Sequence, residues 1–115
     1  MIIDWTRMKI MIKPGKVDFR KQINGLAVIV ENELKLDVFS NYMFLFCCKN
    51  RKRLKILYWD RNGFCLWLKR LEKDKFCWPK NECEAREISY DELKMLLDGI
   101  NFFDAYQKLS YKHVV

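Results

Sequence analysis

Few residues in this chain are suited to bond-breaking chemistry. The cysteines are Cys47, Cys48, Cys65, Cys77 and Cys83, and the single histidine is His113, two residues from the end. No two cysteines form a C-x-x-C pair, whereas tetrahedral zinc takes four Cys or His ligands in spaced pairs, so no metal site is expected. A Cys–His nucleophile is not expected either, because His113 lies where chains fray. The glycines, Gly15, Gly25, Gly63 and Gly99, are too scattered for a phosphate-cradling loop. No spacing singles out a carboxylate pair. These residues predict no catalytic set and no cofactor. An odd cysteine count, with Arg7, Lys9 and Lys13 interrupting the apolar start, fits a cytoplasmic protein whose thiols act as small core hydrophobes.

What remains is anion binding. The net charge is +7, from 22 bases and 15 acids, and it is unevenly placed. Residues 1–24 carry +4, residues 25–48 carry −2, residues 49–80 carry +8 and residues 81–115 carry −3. Such a basic segment raises the expectation of an anionic partner. Its bases alternate with tryptophans: Arg51, Lys52, Arg53, Lys55, Trp59, Trp67, Lys69 and Arg70. Amines that meet phosphates beside indoles that stack on bases are the equipment of nucleic-acid binding.

Elements must position these groups. The chain has 115 residues, half of them hydrophobic, with four glycines and two prolines, which suits one folded domain. No apolar run approaches the ~18 residues of a membrane span. Residues 8–13 alternate as a strand, and Pro14-Gly15 reads as a turn. Asp18 is a plausible N-cap for a helix through Phe19, Ile23, Leu26, Ala27, Val30 and Leu34, ending near Leu36. Gly25 at its midpoint hints at close packing. Strand-like runs follow at Tyr42–Cys48, Arg53–Trp59 and Phe64–Leu71, with a shorter piece at Phe76–Trp78. Ser89 and Glu92 form a capping box, Ile88 and Leu93 its staple, and Gly99 a stop. The order predicts a single small α+β domain over residues 1–100: an antiparallel β-meander of about four or five strands packed against two helices, followed by an aromatic tail at 101–115.

The hairpin around Asp60-Arg61-Asn62-Gly63 fixes where side chains point. A three-residue loop with a bulge at Gly63 sets Asp60 opposite Phe64. Tyr58, Ile56 and Leu54 then pair with Leu66, Leu68 and Arg70 on a largely apolar face. On the other face Trp59, Leu57, Lys55 and Arg53 pair with Cys65, Trp67, Lys69 and Leu71, and Trp78 can join it. Opposed Lys55 and Lys69 are unfavourable unless an anion or acid lies between them. Two readings stay open for Trp59 and Trp67, stacking on bases or packing in a second core layer. The loop from Lys49 to Arg53 is either a phosphate site or a solvated charge run. Arg20 and Lys21 fall in the first helix's opening turn, where the dipole disfavours cations; either a phosphate sits there or the side chains pair with Asp18 or Glu72.

Several stretches together resemble one family: Asp18–Leu26, Met43–Phe46, Arg51–Gly63, then Phe64, Leu66, Lys69–Glu72, Phe76, Trp78, Pro79, Leu93, Leu96-Leu97 and Gly99-Ile100. They are similar, in order and over nearly the whole chain, to the TnpB-type accessory protein encoded by the second open reading frame of IS-sixty-six-type bacterial insertion sequences. Asn41 and Asp74 stand where that family usually has turn glycines, and Asn101 replaces a frequent Asp. The resemblance implies a non-catalytic transposition factor encoded beside a separate transposase. Two roles follow. In the first the protein binds DNA, with Arg20, Lys21, Arg51, Lys52, Arg53, Lys55, Lys69 and Arg70 on phosphates and Trp59 and Trp67 stacking. In the second it docks on the transposase through its aromatic tail and acidic C-terminal region.

Overall fold

The computed structural model describes residues 7–80 and 85–100; the predicted tail at 101–115 lies outside them. The elements are β1 (Lys9–Lys16), α1 (Ile23–Asn32), β2 (Tyr42–Cys47), β3 (Arg53–Asp60), β4 (Gly63–Arg70), β5 (Arg86–Ile88) and α2 (Tyr90–Leu97). The strands form one sheet in the order β4-β3-β2-β1-β5. This is the α+β domain, with one sheet and two helices, that the sequence implies.

One of the four pairings departs from the expected antiparallel pattern. β1 and β2 run parallel, Ile10 beside Met43 and Ile12 beside Leu45. A parallel pair needs a crossover long enough to return the chain to its starting end, and α1 supplies it. β1 also continues through Pro14-Gly15 instead of turning. Its register against β2 shifts between Ile12 and Lys16, Gly15 takes φ +77°, and the Gly15 N–H donates to the Pro79 carbonyl at 2.8 Å. Proline offers no N–H to a ladder, and glycine accepts the positive φ, so the strand bulges.

Both sheet faces are covered. Leu26, Ile29 and Val30 of α1 pack on Phe44, Phe46 and Leu57. Leu93 and Leu96 of α2, with Phe76 and Trp78, pack on the opposite face against Leu45, Ile56 and Tyr58. Residues 75–80 form no strand, but the Trp78 indole donates to the Lys13 carbonyl at 2.9 Å and so holds the segment to β1. The fifth strand is instead Arg86–Ile88, antiparallel to β1. It leads directly into α2, whose capping box is present as expected. Ser89 Oγ accepts from the Glu92 N–H at 3.1 Å, and Glu92 Oε1 accepts from the Ser89 N–H at 3.0 Å. Gly99, at φ +78°, ends the helix.

Cover on both faces also corrects the hairpin. Asp60 pairs with Gly63, Leu57 with Leu66, Ile56 with Trp67, Lys55 with Leu68 and Leu54 with Lys69, one residue away from the expected bulged register. That register rested on collecting apolar residues on one face. Leu54 through Tyr58 are all buried, so β3 has two inside faces and no such preference exists. The loop is Arg61-Asn62, with Arg61 and not Gly63 in the left-handed region at φ 51°. A side chain there costs about 1–2 kcal/mol. Arg61→Gly should therefore raise stability to urea by about 1 kcal/mol; an unchanged or lower midpoint would count against this loop geometry.

Candidate nucleic-acid interface

The parallel pairing decides where the charge goes. β1, β2 and β4 all finish at the end of the sheet where β3 begins, so three loops meet there. The first brings Lys16, Arg20 and Lys21; the second Lys49, Arg51, Lys52 and, at its exit, Arg53; the third Arg70, Lys73, Lys75 and Lys80. The acids among them are Asp18, Glu72 and Asp74, eleven bases against three acids. Backbone bonds tie the loops together: the Leu71 N–H donates to Lys52 O and the Phe76 N–H to Arg51 O, both at 2.7 Å. The +8 segment thus supplies most of a basic sheet end, not a sheet face.

Two of the three acids are already engaged. Arg20 forms a two-point contact with Asp18, its Nη2 at 2.7 Å and its Nε at 3.0 Å from Oδ2. Asp18 Oδ1 also accepts from the Arg20 backbone N–H at 2.9 Å. These bonds hold the Asp18 carboxyl at about 2, well below the usual carboxylate range. Asp18 is accordingly not the cap of α1. The helix begins at Ile23 after Gln22, so Arg20 and Lys21 precede its first turn instead of lying in it. The Lys21 stem lies against Gly25, where an added Cβ would stand 3.0 Å from Lys21 Cβ, which accounts for a glycine mid-helix. Arg70 bonds to Glu72 at 2.9 Å. Among the described residues Lys49, Arg51, Lys52 and Arg53 make no ion pair. Arg53 and Arg70 stand directly opposite in the ladder, an unfavourable like-charge pair unless an anion lies nearby.

The structure separates four of the expected site residues from this group. Lys55 is only 5% exposed. Its ammonium donates to Phe19 O at 3.1 Å and Lys21 O at 3.0 Å, reaches Gln22 Oε1 at 3.5 Å, and lies 4.8 Å from the Phe19 ring centroid. It is an internal strut that fixes the loop carrying Arg20 and Lys21. Lys69 points to the opposite face and donates to Leu97 O at 2.8 Å, completing the C-terminus of α2, where the helix dipole favours a cation. Trp67 is on that same face, packed against the α2-side core. Trp59 lies on the α1 face at the hairpin end, edge-on to Phe39 and Phe64 with centroids 5.0 Å and 4.9 Å away. The two tryptophans therefore lie on opposite faces of the sheet and share no surface. The one-residue change of register is the physical reason.

Sequence reasoning missed the concave part of the site. Two clefts, of about 410 and 400 Å³, adjoin across Lys16, Cys48 and Lys49. Arg51, Trp78, Pro79 and Lys80 line the first; Phe19 and Arg53 line the second. Lys16 and Lys80 are far apart in the chain, and the Gly15–Pro79 and Trp78–Lys13 bonds bring them together. Between them the neighbouring thiols Cys47 and Cys48 diverge. Burial pushes Cys47 up to about 12. Burial also pushes Cys48 up, but hydrogen bonds from the Arg53 and Lys52 backbone and the Arg53 guanidinium outweigh it, so that thiol lies below its ordinary value. Among the described residues no group of three or more His, Cys, Asp or Glu could hold a metal ion.

Two measurements check this geometry. Lys55→Met should cost about 1–3 kcal/mol, because the Phe19 and Lys21 carbonyls are left without their donor. Burial, then the Arg53 charge, lowers the Lys55 pKa. The unfolded chain therefore keeps this proton to higher pH than the folded chain. Stability should rise as pH climbs through the folded value toward the ordinary lysine range, and Lys55→Met should lack that rise; parallel curves would contradict the strut. In the second, iodoacetamide at mildly alkaline pH should label Cys48 well before Cys47, as read by peptide mass; equal labelling would contradict the assignment.

Comparison with known proteins gives matches along nearly the whole chain. Residues 8–107 match the family described as IS66 Orf2 like protein. Two relatives come from Sinorhizobium fredii (strain NBRC 101917 / NGR234). Uncharacterized protein y4jC is 35% identical over 95 residues, covering 83% of this chain and 81% of its own. Uncharacterized protein y4hO is 33% identical over 102 residues, covering 89% of each chain. No solved structure matches. Matched over its strands, helices and basic loops alike, this chain belongs to the IS66 Orf2-like family, accessory proteins of insertion-sequence transposition.

Proposed function

We propose that this protein is a non-catalytic DNA-holding factor in transposition, and that it grips DNA with the basic end of its sheet. The observation that carries the reading is the meeting of three loops with eleven bases and three acids at one end of one sheet. Arg51, Lys52 and Arg53 are the principal phosphate ligands, because no acid among the described residues forms an ion pair with them. Arg20, Lys21 and Arg70 flank them. The Arg20–Asp18 and Arg70–Glu72 pairs are exposed, and exposed ion pairs are worth ~1 kcal/mol or less, so a phosphate can compete for either arginine. Lys55 and Lys69 serve the fold, the first by anchoring the 19–22 loop and the second by finishing α2.

A second reading, docking on the separately encoded transposase, draws on the opposite end of the molecule. Phe39 is 56% exposed beside Trp59 and Phe64, an aromatic surface that suits a protein contact better than a phosphate. The two readings use different ends and can be tested apart.

Removing one base that neutralises a phosphate should reduce the slope of log affinity against log salt by ~0.7 to 0.9, depending on whether the DNA is single- or double-stranded. Replacing Arg51, Lys52 and Arg53 together by alanine should therefore flatten the slope by about two to three units. Trp59→Leu should leave it unchanged while weakening any association with the transposase. An unaltered slope in the triple variant would sink the phosphate assignment.

A further inference from the structure

The basic end has a shape as well as a charge, and the shape selects among DNA structures. The two clefts either side of Lys16 and Lys49, about 410 and 400 Å³, each fall within the range of sites that enclose a small organic group, roughly 300–1,000 Å³. Each combines a non-polar wall with a cation. In one, Pro79 and the edge of the nearly buried Trp78 share the lining with Arg51; in the other, Phe19 accompanies Arg53, and the one acid there, Asp18, is bonded to Arg20. A duplex offers a protein its convex phosphate rows and the edges of stacked pairs, and it is usually read by a helix or ribbon laid in the major groove. Neither helix here is built for that. The exposed positions of α1 are Asn24, Val28, Glu31 and Asn32, with no base among them, and those of α2 are Tyr90, Asp91 and Lys94, one base against one acid. Concave cups with an apolar side and a cationic side suit a base that is free of its partner, with its phosphate alongside.

We infer that this groove takes an unpaired DNA strand, one nucleotide on either side of a ridge made by Lys16 and Lys49, whose ammonium groups meet the phosphate joining them. The inference rests on the DNA-holding reading and narrows it to a substrate class. Unpaired DNA arises wherever a strand end frays or a junction opens, so the site would recognise a structure and not a sequence. Cys48 lines both clefts and serves as an internal reporter.

The test compares oligothymidylate with a hairpin duplex of equal phosphate number, at one salt concentration, on the full chain. The single strand should bind at least tenfold more tightly. Lys16→Ala with Lys49→Ala, two exposed positions, should abolish most of that preference while the far-UV spectrum is unchanged. Bound oligothymidylate should slow alkylation of Cys48 and leave Cys47 unaffected. Equal or tighter duplex binding would overturn the inference and leave DNA holding intact, as would single-strand binding that leaves Cys48 unprotected. Failure to bind either DNA at low salt would remove both.

Discussion

Because β1 and β2 run parallel with α1 crossing between them, the chain leaves both strands at the same end of the sheet. An antiparallel pair would have left one strand at each end and divided the bases between them. With β3 entering and β4 leaving at that same end, the loops carrying Lys16 to Lys21, Lys49 to Arg53 and Arg70 to Lys80 become neighbours. The crossover is held by ordinary means: Leu26, Ile29 and Val30 bury themselves on Phe44, Phe46 and Leu57. A hydrophobic contact on one face thus determines the electrostatics of one end.

Burial and charge are linked again at Lys55. Taking an ammonium out of water is costly unless acceptors replace its hydration. Here two backbone carbonyls, the Gln22 side chain and the Phe19 ring supply that replacement, with no carboxylate among them. With no buried acid among the described residues, the strut adds positive potential beneath the loop it supports. Lys69 does similar work at the C-terminus of α2, where the dipole welcomes it. Both lysines lie in strands beside the basic loops, yet each is committed inward.

Much of this was legible from the residues. The capping box at Ser89 and Glu92, the stop at Gly99, the two helices and the location of the hairpin all follow from local chemistry that tertiary packing did not override. The family was legible in the same way, from stretches spread across the chain. The register was not, because it depends on whether one or both sheet faces are covered. A signal did exist: Met43 to Cys48 is an uninterrupted apolar run, the mark of a strand buried on both sides, and strand–helix–strand at the start suggests a crossover. Reading those two features together would have given a parallel pair and a covered sheet. Nothing would then have required Trp59 and Trp67 to share a face. The clefts could not be read in advance, since they depend on a bulge at Gly15 meeting Pro79.

In the proposed DNA contact, charge gathered at one sheet end, and no sheet face, meets the nucleic acid. Backbone amide shifts in isotope-labelled protein, followed as an oligonucleotide is added, address it residue by residue. The shifts should cluster in residues 16–21, 49–53 and 70–80, with the 59–64 hairpin still. Shifts centred on Phe39, Trp59 and Phe64, or spread along α2, would contradict it.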